Sequence, residues 1–166
     1  MNGSFTHHPA AGVADVQTII FSSAYLSSSQ KDESAASGFS ANLAPTKQRA
    51  LVVDDAPDVL EMLAIVLRYE GYEVVTSNSA AAALAAAQAE HFDVVVSDIG
   101  MPEMDGYSLA VALRALPDYS AVPLVAVTGF SMYDDRERAI KSGFNAHLTK
   151  PINPMTLLDL LAQLQK

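Results

Sequence analysis

The sequence predicts an α/β fold: a parallel sheet with helices packed on both of its faces. Two observations lead there. From Ala50 onward, short β-branched runs alternate with longer helical patterns, the signature of successive βα units. The run Val94-Val95-Val96 is apolar without alternation, as expected of a strand covered on both sides. Five such units can be counted, with strands expected at residues 50–53, 73–76, 94–97, 123–127 and 146–148.

Helices are expected near residues 57–70, 79–90, 105–116, 133–142 and 153–165, and the punctuation agrees with each. Gly71 follows the first helix as its C′ residue, and Ser79 can cap the second. Pro117 stops the third and Gly143 ends the fourth. The fifth opens with Asn153-Pro154, a capping side chain followed by proline at the first helical position. Its Leu157, Leu158, Leu161 and Leu164 recur at helical spacing and are read as core. The alanines from Ala80 to Ala87 read as a small-residue helix of high propensity and close packing.

The chain of 166 residues, half of them hydrophobic, can close one good core and hardly two. Residues 1–46 are Ser/Ala-rich, lack sustained periodicity and end at Ala44-Pro45-Thr46, so they are expected to be a disordered tail before a folded domain at 47–166. The apolar patch from Val13 to Leu26 leaves open a short docking helix, or a true start further along the chain. His7 and His8 are expected to be solvated, since no further ligand lies near them in sequence.

A net charge of −9, with ten basic residues scattered among nineteen acids, argues against nucleic acid or an anionic membrane as partner. Cysteine is absent, which excludes disulfides and thiolate chemistry and fits a reducing cytoplasm. No window approaches the roughly 18 apolar residues of a membrane span. No Lys or Arg precedes the Val16 to Phe21 run, so it makes a poor export signal.

The stretch DVVVSDIGMP places Asp98 directly after a run destined for the core. Taken alone, Asp98 could simply begin a loop. However, ligand crevices of open α/β sheets lie at the carboxyl ends of the strands. There the first strand delivers Asp54 and Asp55, the third Asp98 and the fourth Thr128, with Lys150 just past the fifth. Three gathered carboxylates repel one another unless positive charge intervenes. Mg²⁺ suits hard oxygen ligands and leaves positions for phosphate oxygens, whereas no histidine is placed for zinc and no EF-hand loop for calcium. The set therefore suggests phosphoryl transfer, with Asp98 as the attacking group and Thr128 and Lys150 holding the peripheral oxygens.

These residues, Asp54-Asp55, DIGMPEMDG from Asp98 to Gly106, Thr128-Gly129 and Lys150-Pro151, resemble the receiver domain of two-component response regulators, in its single-domain, chemotaxis-regulator-like form. The likeness covers roughly residues 48–166. It implies a doubly wound, flavodoxin-like (βα)₅ sheet of strand order 2-1-3-4-5. It also implies phosphorylation of Asp98 from a phosphohistidine of a sensor histidine kinase or histidine phosphotransfer protein in a phosphorelay. By the same resemblance, Asp55, Asp98 and the Gly100 carbonyl bind Mg²⁺ directly, Asp54 acts largely through water, and Pro151 follows a cis peptide bond that aims Lys150 inward. The phosphoryl group would draw Thr128 inward and bias the face of the fourth helix, fifth strand and fifth helix. The domain is then a cytoplasmic monomer that promotes its own Mg²⁺-dependent phosphorylation, without being a turnover enzyme, and signals to an unidentified protein target.

Some positions depart from the family pattern. His147 stands where Tyr or Phe usually couples to the Thr128 movement, so its part in switching is open. Gly100 and Phe130 flank the expected path of a hydrolytic water and offer no amide or acid to orient it, which predicts a slowly hydrolysed phosphoryl group. The last helix lacks the arginines of winged-helix transcription-factor receivers, and no output domain follows Lys166, so contact with a protein is expected rather than promoter binding. The rival reading is a pseudo-receiver, an interaction module that is never phosphorylated. An aspartate-based phosphatase lacks its general acid at Gly100. A nucleotide-binding enzyme lacks both glycine-rich signatures.

Overall fold

The computed structural model describes residues 46–129 and 133–166, with the backbone alone for 133–135. The expected tail, apart from Thr46, lies outside the described residues, together with His7, His8 and the apolar patch; so does Phe130. The elements run β1 (Arg49–Val53), α1 (Pro57–Tyr69), β2 (Glu73–Ser77), α2 (Ala80–Ala89), β3 (Val94–Asp98) and α3 (Gly106–Arg114). A 3₁₀ turn (Pro117–Tyr119), β4 (Leu124–Thr128), α4 (Tyr133–Ser142), β5 (Ala146–Thr149) and α5 (Pro154–Leu164) follow.

All strand pairs are parallel and the sheet order is β2-β1-β3-β4-β5, the expected doubly wound arrangement. Side chains alternate across a strand, so each strand feeds two cores. Leu51, Val53, Val95, Leu124 and Ala126 pack on one face with Ala83 of α2, Leu109 of α3 and Ala139 of α4. Ala50, Val52, Val94, Val96, Val125 and Val127 pack on the other with Leu63 and Leu67 of α1 and Leu157 and Leu161 of α5. β3 and β4 are buried at every position, which is why their sequences read as unbroken apolar runs.

The ends follow the sequence signals. Gly71, at φ 95°, closes α1: its N–H donates to the Arg68 carbonyl at 3.0 Å, and that of Tyr72 to Leu67 at 3.0 Å. The Ser79 hydroxyl accepts from Ala82 N at 3.2 Å, and Asn153 Oδ1 from Met155 N at 2.9 Å. In α5, Leu157 and Leu161 are fully buried, while Leu158 and Leu164 pack partly buried around them. The third helix is shorter than the expected 105–116. It stops at Arg114 because Leu116 precedes Pro117, whose ring pushes it to extended φ −79°, ψ 132°. No described helix is long and apolar enough to cross a membrane.

Candidate functional site

The carboxyl edge of the sheet brings the expected polar groups together. Asp54 follows the last residue of β1 and is only 1% exposed. Its Oδ1 accepts from the Ala56 N–H at 2.8 Å, and its Oδ2 from Lys150 Nζ at 2.8 Å. Asp55, next along, is exposed. Asp98 is the last residue of β3, buried, with Oδ1 at 3.1 Å from the same ammonium. Lys150 thus bridges two carboxylates carried by neighbouring strands. Its backbone N–H donates to the Thr128 carbonyl at 2.8 Å, and the peptide bond from Lys150 to Pro151 is cis. Thr128, buried at the end of β4, is in register with Thr149, one strand away from Asp98.

Electrostatics follow from burial and this bridge. Burial pushes the Asp98 carboxyl above its ordinary value; the hydrogen bond and charge of Lys150 pull it back only in part, and the Asp54 charge adds to the rise. For Lys150, burial acts downward, but the hydrogen bonds and charges of Asp54 and Asp98 outweigh it and hold the ammonium above its ordinary value. Asp54, Asp55 and Asp98 each offer a carboxylate oxygen, all within 4.8 Å of one another. Three hard oxygen donors at that spacing can share one divalent ion, and no imidazole or thiolate belongs to the group.

The loop after β3 is shaped by two glycines. Gly106 lies so close to the strand that a Cβ there would strike the Asp98 carbonyl oxygen and stand 2.8 Å from Ile99 Cα. The Gly106 N–H donates to Ile99 O at 2.9 Å, closing the loop beneath Asp98. At Gly100 a Cβ would lie 3.7 Å from Asp98 Oδ2, in ordinary contact, so that oxygen faces the space a side chain at 100 would fill. Asp105 caps α3 by accepting from Ser108 N at 2.8 Å. Burial acts to raise the Asp105 carboxyl, but the Ser108 hydrogen bonds and the Arg138 charge hold it below its ordinary value.

A family model described as the response regulator receiver domain matches residues 50–162. The chain belongs to that family. The receiver domain is 42% identical over 113 residues to a 14.6 kDa protein encoded in the sodA1 3′ region of Leptolyngbya boryana, covering 68% of this chain and 86% of that one. It is 39% identical over 120 residues to the transcriptional regulatory protein PrrA of Mycobacterium tuberculosis, covering 72% of this chain but only 49% of PrrA. Among solved structures, the chemotaxis response regulator CheY4 of Vibrio cholerae superposes with TM-score 0.69 at 34% identity, covering 72% of this chain and 99% of that one. The receiver domain of the sensor histidine kinase PA1611 of Pseudomonas aeruginosa, solved with magnesium in its active-site cleft, gives TM-score 0.67 at 29% identity, covering 72% and 99%. The resemblance read from the motifs, and the flavodoxin-like sheet it implied, both hold.

One expected residue stands apart from the acidic edge. His147, half-buried on β5 and in register with Ala126, lines a cleft of about 380 Å³ with Arg136, Ile140, Asn145, Ala146 and Leu160. The motif from Asp98 to Gly106 does not by itself reveal the task of Gly106, since its nearness to β3 is a tertiary fact. Nor does the spacing show that Asp54 holds Lys150 directly, a contact across 96 residues.

Proposed function

We propose that this receiver domain accepts a phosphoryl group on Asp98 from the phosphohistidine of a sensor histidine kinase or histidine phosphotransfer protein, as a step of a cytoplasmic phosphorelay. The observation that carries this reading is the buried Asp98 carboxylate, 3.1 Å from Lys150 and within one ion's reach of Asp54 and Asp55. In the transfer a P–O bond forms to Asp98 as the P–N bond of the phosphohistidine breaks, and the electron pair stays on the imidazole nitrogen. Asp98 Oδ2, facing the side-chain-free Gly100, is the attacking oxygen. Lys150 and the Thr128 hydroxyl hold the peripheral oxygens, and Asp54 keeps Lys150 in place.

The donor set of Asp54, Asp55 and Asp98 fits Mg²⁺; by the family resemblance Asp55, Asp98 and the Gly100 carbonyl would hold the ion and Asp54 would act through water. When bound, the ion supplies the positive charge that screens phosphoryl oxygens from the clustered acids. A phosphoryl group adds about −1.5 to −2 charge and three acceptors. Those acceptors draw the Thr128 hydroxyl inward and bias the face formed by α4, β5 and α5, where the cleft beside His147 receives a downstream protein. The domain acts as a monomer through that contact.

Mass spectrometry of the full chain after incubation with Mg²⁺ and acetyl phosphate tests the reading. One added phosphoryl group, lost in Asp98→Asn and lost with a chelator, is the expected result. No addition under conditions that label another receiver domain would instead make the chain a pseudo-receiver.

A further inference from the structure

Lys150 is carried to Asp54 and Asp98 by a strand with little of its own to hold it in register. β5 is short, lies at the edge of the described sheet and pairs with β4 alone. None of its residues is fully buried: Ala146, His147 and Leu148 are half-buried and Thr149 is exposed. A deeply buried face fixes the register of a strand through its apolar pattern, and β5 has no such face. Register matters here, since a slip of one residue moves a strand by about 3.3 Å and turns its side chains to the opposite face. The ammonium stands 2.8 Å from Asp54 Oδ2 and 3.1 Å from Asp98 Oδ1, and no such slip would keep it there.

The residue just before β5 supplies the register mark. The Asn145 N–H donates to the Leu124 carbonyl at 2.8 Å, and the Leu124 N–H donates back to Asn145 Oδ1 at 2.8 Å. This reciprocal pair locks the first residue of β4 to the entrance of β5. At the far end the Lys150 N–H donates to the Thr128 carbonyl at 2.8 Å, and between the two ends run the register pairs from Val125 with Ala146 to Thr128 with Thr149.

Asn145 is itself held. Arg114 Nη2 donates to the same Oδ1 at 2.8 Å, so the amide oxygen carries two donors and its orientation is fixed. The other donors of this half-buried guanidinium reach carbonyls at both strand entrances. Nε and Nη2 donate to Gly143, ahead of β5, at 2.9 and 2.7 Å, and Nη1 donates to Val122, ahead of β4, at 2.8 Å and to Tyr119 at 2.6 Å. One planar fork therefore sets the spacing of the two entrances.

We propose that Asn145, oriented by Arg114, is the positioning residue for Lys150: it sets the register of β5 on β4 and so places the ammonium between Asp54 and Asp98. It lies at the opposite end of β5 from Lys150 and acts through the strand. The consequence for phosphoryl transfer rests on the phosphoacceptor reading; the placement of Lys150 does not.

Limited acetylation of the full chain by acetic anhydride at mildly alkaline pH, read lysine by lysine by mass spectrometry, tests the placement. Only the neutral amine reacts, so an ammonium held between two carboxylates reacts slowly. In Asn145→Ala, acetylation of Lys150 is expected to quicken about tenfold, the factor for a fall of about one unit in amine pKa, with exposed Lys141 and Lys166 unchanged. Asn145→Asp keeps an oxygen for Leu124 N and Arg114 and is expected to restore the slow reaction. Asn145 is exposed, so alanine there opens no cavity, and circular dichroism checks the fold. Arg114→Lys, which keeps the charge but loses the fork, is expected to quicken Lys150 in the same direction, and decides the matter on its own if Asn145→Ala does not fold. Lys150 reacting at the parent's rate in the folded variants overturns the proposal, as does an Asn145→Asp protein that reacts like the alanine variant. Labelling by acetyl phosphate and Mg²⁺ is expected to slow in Asn145→Ala and recover in Asn145→Asp. A parent chain that takes no phosphoryl group sinks the phosphoacceptor reading alone, and acetylation still decides the placement of Lys150. Slowed labelling with unchanged acetylation of Lys150 overturns the positioning role.

Discussion

Replacing Gly106 with alanine tests the packing that fixes the strand ending at Asp98. The new Cβ would collide with the Asp98 carbonyl oxygen, and would stand 2.8 Å from Ile99 Cα and 3.1 Å from the Asp98 carbonyl carbon. All three are backbone atoms, so no rotamer change relieves the contact. β3 is bonded to β1 and β4 and buried at all five positions, so it cannot retreat either. Overpacking of this kind costs about 3 kcal/mol. Lengthening the bond from Gly106 N to Ile99 O adds about 1 kcal/mol, and the better helix propensity of alanine returns about the same. The net loss of about 3 kcal/mol corresponds to a fall in Tm of roughly 10 °C for a domain of this size. Urea unfolding followed by circular dichroism measures it. Gly129→Ala is the control, because a Cβ there meets nothing within 4 Å. A Gly106→Ala protein within about 0.5 kcal/mol of the parent would refute the reasoning.

Two other outcomes follow. Gly100→Asn, whose Cβ fits at 3.7 Å from Asp98 Oδ2, places an amide beside the carboxylate proposed to carry the phosphoryl group, where it can orient water. The rate of phosphoryl loss in Mg²⁺ is expected to rise on the order of tenfold, equivalent to ~1.4 kcal/mol, as followed by phosphate release. The Tyr119 phenol, donating to the Glu90 carbonyl at 2.7 Å, is pushed up by burial. With its folded pKa above the unfolded value of about 10, its contribution is intact below that pH and is lost as pH rises through the folded pKa. Denaturant stability should therefore fall above about pH 10, and less steeply in Tyr119→Phe.

Much of this was legible because the information is local. Val94-Val95-Val96 announces a doubly covered strand, and a carboxylate after it is conspicuous. Gly71, Ser79 and Asn153 carry their helix ends in their own chemistry. What stayed hidden depends on partners far along the chain. Asp54 and Lys150 meet across 96 residues, and Arg114 serves the carbonyl of Gly143, 29 residues away. In sequence Arg114 does not differ from an arginine on a solvated face, and nothing in the spacing of Asp54 and Lys150 shows that the two bond directly. Gly106 was hidden for a related reason: it reads as an ordinary turn glycine until the backbone of β3 is placed against it.

A charge at the end of a buried strand is tolerable here because the fold supplies its partner from a different unit. The ammonium of Lys150 arrives from β5, beyond β4, and Asp54 from β1, on the opposite side of β3. One cation between two buried acids leaves the cluster of Asp54, Asp55 and Asp98 with an uncompensated double negative charge. Asp55, being exposed, leaves part of that charge in contact with solvent, where desolvation is least. A divalent cation would neutralise the remainder, whereas replacing Lys150 with a neutral residue would add a third unit and leave buried Asp54 and Asp98 facing each other without it. The lysine is therefore as much a condition for folding this edge as for its chemistry.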